Sequence, residues 1–141
     1  MPSDSPLDNL VRIGQLKREP PDRDEIAGLI RSGRVRLEDA ANETLSIESR
    51  FDLAYNAAHA LSLAALRWHG YRSENRYQVF QCLQHTLALP AEQWRVLDQA
   101  HRKRNLAEYE GVIDVDEALV AAMVRTGRTV LERTENLAPI A

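Results

Sequence analysis

Apolar residues along most of this chain recur every three or four positions, which is the spacing of one face of an α-helix. The clearest case is the segment from Ser46, a suitable N-cap, to Gly70, a suitable terminator. One apolar face is formed by Phe51, Ala54, Tyr55, Ala58, Leu61, Ala65 and Trp68, and additional Ala and Leu residues nearly surround the helix axis. Because a helix that is apolar on most sides is usually buried, this segment is predicted to be the central helix.

Weaker patterns precede this segment. The first predicts a short, loosely attached helix that stops before the two prolines at residues 20–21. From Asp22 the helical spacing resumes, is interrupted by Ser-Gly at residues 32–33 and then continues, so one helix or two half-helices are expected. The alternation of Val35 and Leu37 would also suit a short strand.

Further helices are predicted after the central one. A fourth helix should end at Pro90 or just before it. A fifth should cover residues 91–109, with Gly111 as its terminator. The last should begin at Asp114, where Asp114 and Glu117 form a capping-box pattern.

These elements have short connections and no internal repeat, which favours neighbouring antiparallel helices. The sequence therefore predicts an all-α fold, an antiparallel bundle of four to five main helices with a short extra helix at the N-terminus. We assign residues 1–21 to that short helix and its linker, and residues 22–141 to the bundle.

Composition narrows the classes of function. With 44% apolar and 28% charged residues, the 141-residue chain is typical of one folded domain. Its net charge of -3 excludes an overall attraction to nucleic acid or anionic membranes, so binding of a polyanion requires a local basic patch. The uncharged stretch of residues 53–66 is too short for a membrane span. A single cysteine, Cys82, and an N-terminus without a secretion signal predict a cytoplasmic protein.

The fifth predicted helix changes character along its length. Its apolar stripe, Trp94, Leu97 and Ala100, continues by helical spacing into polar residues, which are His101, Arg104, Asn105 and Glu108. A guanidinium can bind a phosphate through two hydrogen bonds, and a neighbouring carboxamide can bind a phosphate oxygen or a ribose hydroxyl. The run from His101 to Tyr109 is therefore a candidate site for RNA or a nucleotide.

The same run also fits a solvated helix end. In that interpretation Arg104 forms an i,i+4 pair with Glu108, while Arg102 and Lys103 are ordinary exposed charges near a helix C-terminus. No metal-binding, glycine-rich phosphate-binding or serine-hydrolase motif occurs in the sequence, so neither a cofactor nor a metal is predicted. The remaining distinctive side chains are interpreted as packing residues, and they are Cys82, Trp68 and Trp94.

Two segments resemble HEPN domains, the small helical bundles of prokaryotic toxin–antitoxin and defence systems. They are Arg-Lys-Arg-Asn-Leu-Ala-Glu-Tyr at residues 102–109 and Glu-Ser-Arg-Phe-Asp-Leu-Ala-Tyr at residues 48–55, and the resemblance spans residues 34–137. It implies a homodimer in which two motifs of Arg, often followed by Asn, and then His face each other in a cleft. It further implies metal-independent cleavage of RNA, with Arg stabilising phosphate charge and His transferring protons.

The family motif fits this chain in two registers. Aligning the family's Arg-Asn pair with Arg104 and Asn105 places Tyr109 where the family has its histidine. Aligning the His-x-Tyr ending with Tyr109 selects Arg102 instead and places Ala107 there. No histidine follows Arg102 in either register. The resemblance thus implies Arg104, Asn105 and Arg102 as the catalytic candidates.

Two histidines outside the motif are candidates to replace the missing one. His101 directly precedes Arg102, and His59 lies on the central helix, where packing in the core is the alternative role. Binding of the ligand is also assigned to Lys103, Glu108 and Tyr109.

Tyr109 has a further implied role. In the HEPN subgroup that ends in His-x-Tyr, this tyrosine receives AMP from a partner nucleotidyltransferase, so the resemblance implies such an antitoxin as a partner. Otherwise Tyr109 should be a half-buried aromatic residue that closes the helix. For the whole chain, the alternative function is a non-enzymatic dimerisation or protein-interaction module in which the arginines only pair with acidic residues.

Overall fold

Seven α-helices and one two-stranded sheet form the described part, residues 5–111 and 114–140, of a computed structural model. The helices are α1 (Pro6–Arg12), α2 (Arg23–Ala40), α3 (Ile47–Trp68), α4 (Arg76–Gln81), α5 (Leu83–Thr86), α6 (Ala91–Glu110) and α7 (Glu117–Glu135). The strands are β1 (Lys17–Arg18) and β2 (Tyr71–Arg72), which pair antiparallel. The predicted all-α helical bundle is confirmed.

Helix α3 is the central element, as its pattern predicts. Ser46 caps it, because the Ser46 hydroxyl accepts a hydrogen bond of 3.1 Å from the backbone N–H of Ser49. Most of its side chains are buried, and α2 and α7 pack along it. The contact with α2 is close because Gly33 carries no side chain: a Cβ there would lie 2.5 Å from Cγ of Leu61.

Helix α2 is continuous, so the interruption predicted at residues 32–33 does not occur. Asp22 caps it, because its carboxylate accepts hydrogen bonds of 2.9 and 3.1 Å from the backbone N–H groups of Asp24 and Glu25. The strand considered for Val35 and Leu37 is wrong, because both residues lie within α2. Gly33 allows α2 to pack closely on α3 and does not end the helix.

Two other boundaries differ from the predicted ones. The fourth helix is split into α4 and α5, which meet at Cys82. Helix α7 begins after Asp116 rather than at Asp114, because the Asp116 carboxylate accepts the capping hydrogen bond of 2.8 Å from the Leu119 N–H. Asp114 lies instead 3.6 Å from the ammonium of Lys103.

The N-terminal segment is held more firmly than the sequence indicates. Leu7 and Leu16 are buried in a small apolar cluster with Leu66, Val79 and Cys82. The segment is also joined to the end of α3 by the β1–β2 pair. Two-residue strands have no recognisable alternation, and so this attachment could not be read from the pattern.

The packing roles of Cys82 and the tryptophans hold. Cys82 is buried, and Trp94 is partly buried against the main core. Trp68 is also partly buried, and its indole N–H donates a 2.6 Å hydrogen bond to the Ala138 carbonyl. Among the described helices, none is long and apolar enough to cross a bilayer.

Candidate functional site

The polar end of α6 meets α3 at a buried tyrosine. Tyr55 is 1% exposed, and its hydroxyl lies 2.8 Å from Nδ1 of His101. One turn further along α6, the side-chain amide of Asn105 lies 3.2 Å from Nε2 of His101. Since an amide nitrogen only donates, Nε2 accepts this bond, and Nδ1 then carries the proton and donates to Tyr55.

A neutral His101 agrees with its surroundings. Burial lowers the pKa of His101, and the positive charges of Arg104 and Arg76 lower it further, while Asp98 and Glu108 oppose the change. The imidazole is therefore uncharged at neutral pH, and its orientation is set at both nitrogens. The polar continuation of the apolar stripe thus begins with a histidine held between α3 and α6.

Two guanidinium groups lie over the Tyr55 ring. The Cζ atom of Arg104 is 4.9 Å from the ring centroid, and that of Arg76, on α4, is 5.3 Å from it. Arg76 also donates a 3.1 Å hydrogen bond to the side-chain oxygen of Asn56. Because both arginines lie against one ring, their Cζ atoms are at most about 10 Å apart. Both side chains remain partly exposed.

These two arginines lack a carboxylate partner anywhere in residues 5–111 and 114–140. The buried arginines behave differently: Arg50 pairs with Glu117 at 2.9 Å and Arg67 pairs with Glu25 at 2.7 Å. A cation–π contact orients a guanidinium but leaves its charge uncompensated. Arg76 and Arg104 together therefore form a positively charged site on a chain of negative net charge.

His59 lies one turn after Tyr55 on α3 and adjoins the same site. Its ring contacts Phe80 edge to face, with centroids 6.1 Å apart. Its Nε2 atom is buried and has no hydrogen-bond partner within the described residues. Burial lowers the pKa of His59 to about 4, with contributions from Arg76, Arg104 and His101. We refer to Arg76, Arg104, His59, His101 and Asn105 around Tyr55 as the arginine–histidine cluster.

Four residues of the arginine–histidine cluster are among the predicted site residues: Arg104, Asn105, His101 and His59. Arg76 was missed, because α4 reads as an ordinary packing helix and only its contact with α6 brings Arg76 to the site. The sequence indicates Tyr55 only as an apolar residue of the central helix and as part of the HEPN-like segment. The sequence does contain a signal for Arg76, because Arg76 is the one Lys or Arg residue between Glu74 and Pro90.

The other predicted site residues lie outside the cluster. Arg102 is directed to another surface, where its side chain is 75% exposed and pairs with Asp98 at 3.1 Å. Lys103 lies near Asp114, as described above. Glu108 is exposed, and the expected pair between Arg104 and Glu108 is not formed, because Arg104 turns over the Tyr55 ring instead.

Tyr109 is 90% exposed at the end of α6. The half-buried packing role considered for it is therefore wrong, and its hydroxyl is accessible from solvent. It has no hydrogen bond or ring contact with any described residue of the cluster. Any role in binding would therefore depend on a ligand or partner that reaches beyond the cluster.

Comparison of the chain with family models, with curated proteins and with solved structures finds no match. The resemblance to HEPN domains accordingly stays a prediction. Within the described part of the chain, no three His, Cys, Asp or Glu side chains are grouped as a metal site requires. The chemistry available at the cluster is that of two guanidinium donors, one amide and two neutral imidazoles.

Proposed function

We propose that this protein is a HEPN-like domain that binds RNA through a phosphate held by Arg76 and Arg104. One observation carries the proposal: two guanidinium groups, neither paired with a carboxylate of residues 5–111 or 114–140, lie against the ring of one buried tyrosine. Uncompensated arginines that are oriented by neighbouring groups are typical of phosphate sites, because each can donate two hydrogen bonds to one anion.

The surroundings of the arginines support a nucleic acid rather than a simple anion. Asn105 is exposed beside Arg104 and offers an amide to a second phosphate oxygen or to a ribose 2′-hydroxyl. The net charge of -3 provides no general attraction for polyanions, so affinity must arise from the local charge of the cluster. This favours a short contact with single-stranded RNA over extensive coverage of a duplex.

Binding without cleavage is the function that the geometry supports best. Both nitrogens of His101 are engaged, by Tyr55 and by Asn105. The Nε2 atom of His59 is buried. A general base must come within hydrogen-bond reach of the proton it removes, and only a change at His101 or His59 would provide one here. We therefore propose RNA binding as the function. The geometry supports ribonuclease activity less well.

The test compares three proteins by fluorescence anisotropy with a short single-stranded RNA. Arg104→Ala should weaken binding at least about tenfold, because a charge-assisted hydrogen bond to phosphate is lost. The matched control is Arg128→Ala, which removes the same charge from an exposed position of α7 and should change the affinity little. Equal affinities of wild type and Arg104→Ala would contradict the proposal.

Two further experiments with this RNA distinguish binding from cleavage, and the Arg104 register of the motif from the Arg102 register. Incubated with RNA and a chelator, the wild type should leave the RNA intact. Arg102→Ala should retain affinity for an RNA without guanosine, because Arg102 is paired with Asp98 outside the cluster. A loss with Arg102→Ala equal to that with Arg104→Ala would contradict the placement of the phosphate at the cluster.

A dimerisation module remains the second candidate, and exposed apolar surface on α6 favours it. Leu106 is 50% exposed and Tyr109 is 90% exposed. We propose that a second copy packs here, and that the Tyr109 hydroxyl is accessible to a nucleotidyltransferase-type partner in the single chain. Light scattering should give a dimer for the wild type and a monomer for Leu106→Glu. A dimer that binds no RNA would favour this second function.

A further inference from the structure

A cleft adjoins the arginine–histidine cluster between α4 and α6. It has a volume of about 430 Å³, and its walls include Tyr77 from α4 and Trp94, Asp98 and Arg102 from α6. Tyr77 links it to the cluster, because its ring centroid lies 6.2 Å from that of His101. The size is within the usual range of small-molecule pockets.

Asp98 is the polar group in this cleft whose hydrogen bonding is incomplete. The residue is only 8% exposed, and its Oδ2 accepts a 3.1 Å hydrogen bond from Arg102. Its Oδ1 is buried and receives no hydrogen bond from residues 5–111 or 114–140. A buried carboxylate oxygen without a donor costs free energy, and a ligand that supplies N–H groups as the Asp98 side chain turns into the cleft would recover it.

The walls beside Asp98 are aromatic. Trp94 is partly buried, and Tyr77 is 37% exposed. Flat aromatic side chains of this kind bind nucleobases by stacking, while a carboxylate accepts hydrogen bonds from the edge of the base. A phosphate on Arg76 and Arg104 would place the attached nucleotide near this cleft, since Tyr77 contacts both regions.

We propose that the cleft is a subsite for a guanine base next to the bound phosphate, which rests on the proposed RNA-binding function. Guanine presents two adjacent N–H donors on its Watson–Crick edge, and a carboxylate can accept from both. Adenine and cytosine each present a single amino group there, and uracil presents a single ring N–H. Asp98 is thus the residue that reads the base, and Arg102 positions its carboxylate.

The experiment measures the affinity for an oligouridine and for the same oligouridine with one central guanosine. The wild type should bind the guanosine-containing RNA about tenfold more tightly, as one carboxylate–base contact provides. Asp98→Asn should abolish this preference, because an amide cannot accept from both donors with one oxygen. The control Asp39→Asn removes the same charge from an exposed position of α2 and should keep the preference.

A second variant covers the case in which Asp98→Asn fails to fold. Tyr77→Leu removes an exposed stacking surface and should reduce the preference for guanosine. If the wild type binds both RNAs equally, or prefers a central adenosine or cytidine, the guanine subsite is wrong and the phosphate site stands. If the wild type binds neither RNA, the proposed function fails together with the subsite.

Discussion

At the scale of single residues, His59 couples the cluster to the stability of the fold. Burial, Arg76 and Arg104 lower its pKa from 6.5 to about 4. The unfolded chain therefore binds a proton more readily than the folded one. The stabilising effect of a neutral His59 is fully present above pH 6.5 and is lost as the pH falls toward about 4.

Replacing His59 by Leu should flatten this pH dependence. Leucine has no proton to gain and leaves no buried nitrogen without a partner, so the variant should be at least as stable as the wild type near pH 4.5. Urea unfolding across the interval between about 4 and 6.5 measures the effect. His85→Leu, at an exposed position, is the control and should change the pH dependence less. An unchanged slope for His59→Leu would contradict the assignment.

The sequence predicts some residues of the site and not others. Arg104 and Asn105 were found because the apolar stripe of α6 continues into them, and helical spacing is preserved in the fold. Arg76 was not found, because its role depends on α4 packing against α6, a long-range contact that no local pattern encodes. Arg102, the alternative to Arg104 in the motif, pairs with Asp98 outside the cluster.

At the scale of elements, two glycines of α2 should respond oppositely to the same substitution. Gly33→Ala would place a Cβ 2.5 Å from Cγ of buried Leu61, so it should destabilise the protein by about 1 to 2 kcal/mol. Gly28→Ala has no atom within 4 Å of the new Cβ and should stabilise α2 by up to about 1 kcal/mol. Thermal unfolding followed by circular dichroism measures both. Destabilisation by both variants alike would contradict the close packing of α2 on α3.

Element boundaries were predictable where one residue decides them locally. Gly111 ends α6 in the left-handed conformation, with φ of 74°, and Pro90 directly precedes its first helical residue. The start of α7 was misplaced by a competing acidic residue, because Asp114 and Asp116 both suit an N-cap and only the loop geometry selects Asp116. Ser32 and Gly33 are typical of a helix break. The close approach of Leu61 to Gly33, which explains the glycine, is not visible in the sequence.

At the scale of the whole molecule, Arg67 joins the N-terminal segment to the bundle. Its side chain is 1% exposed and donates to Glu25 at 2.7 Å and to the carbonyl oxygens of Glu19 and Pro20 at 2.9 and 2.7 Å. Arg67→Met removes the donor of both carbonyl oxygens and leaves Glu25, among the described residues, with Arg72 alone, so it should cost about 3 to 5 kcal/mol in urea unfolding. The control Arg34→Met breaks the exposed pair with Glu135 and should cost less than about 1 kcal/mol.

The same variant tests whether the segment belongs to the bundle. Arg67→Met should expose β1 to trypsin, because Lys17 and Arg18 are exposed and are then held mainly by β2. Wild-type protein should be cleaved there slowly. Equal cleavage of both proteins, with equal stabilities, would contradict a joining role for Arg67 and favour an independent N-terminal segment.

The overall charge makes the salt dependence of RNA binding a strict test of the phosphate site. Each phosphate contact to a single strand contributes a slope of about −0.7 to the logarithm of the affinity against the logarithm of the salt concentration. One phosphate held by Arg76 and Arg104 predicts a slope near about −0.7 for the wild type, since a net charge of -3 adds no general attraction. Arg76→Ala and Arg104→Ala should each make this slope shallower, and the double variant should nearly abolish it. A much steeper slope that survives both substitutions would mean that other basic residues hold the RNA, and that the cation–π contacts with Tyr55 serve packing alone.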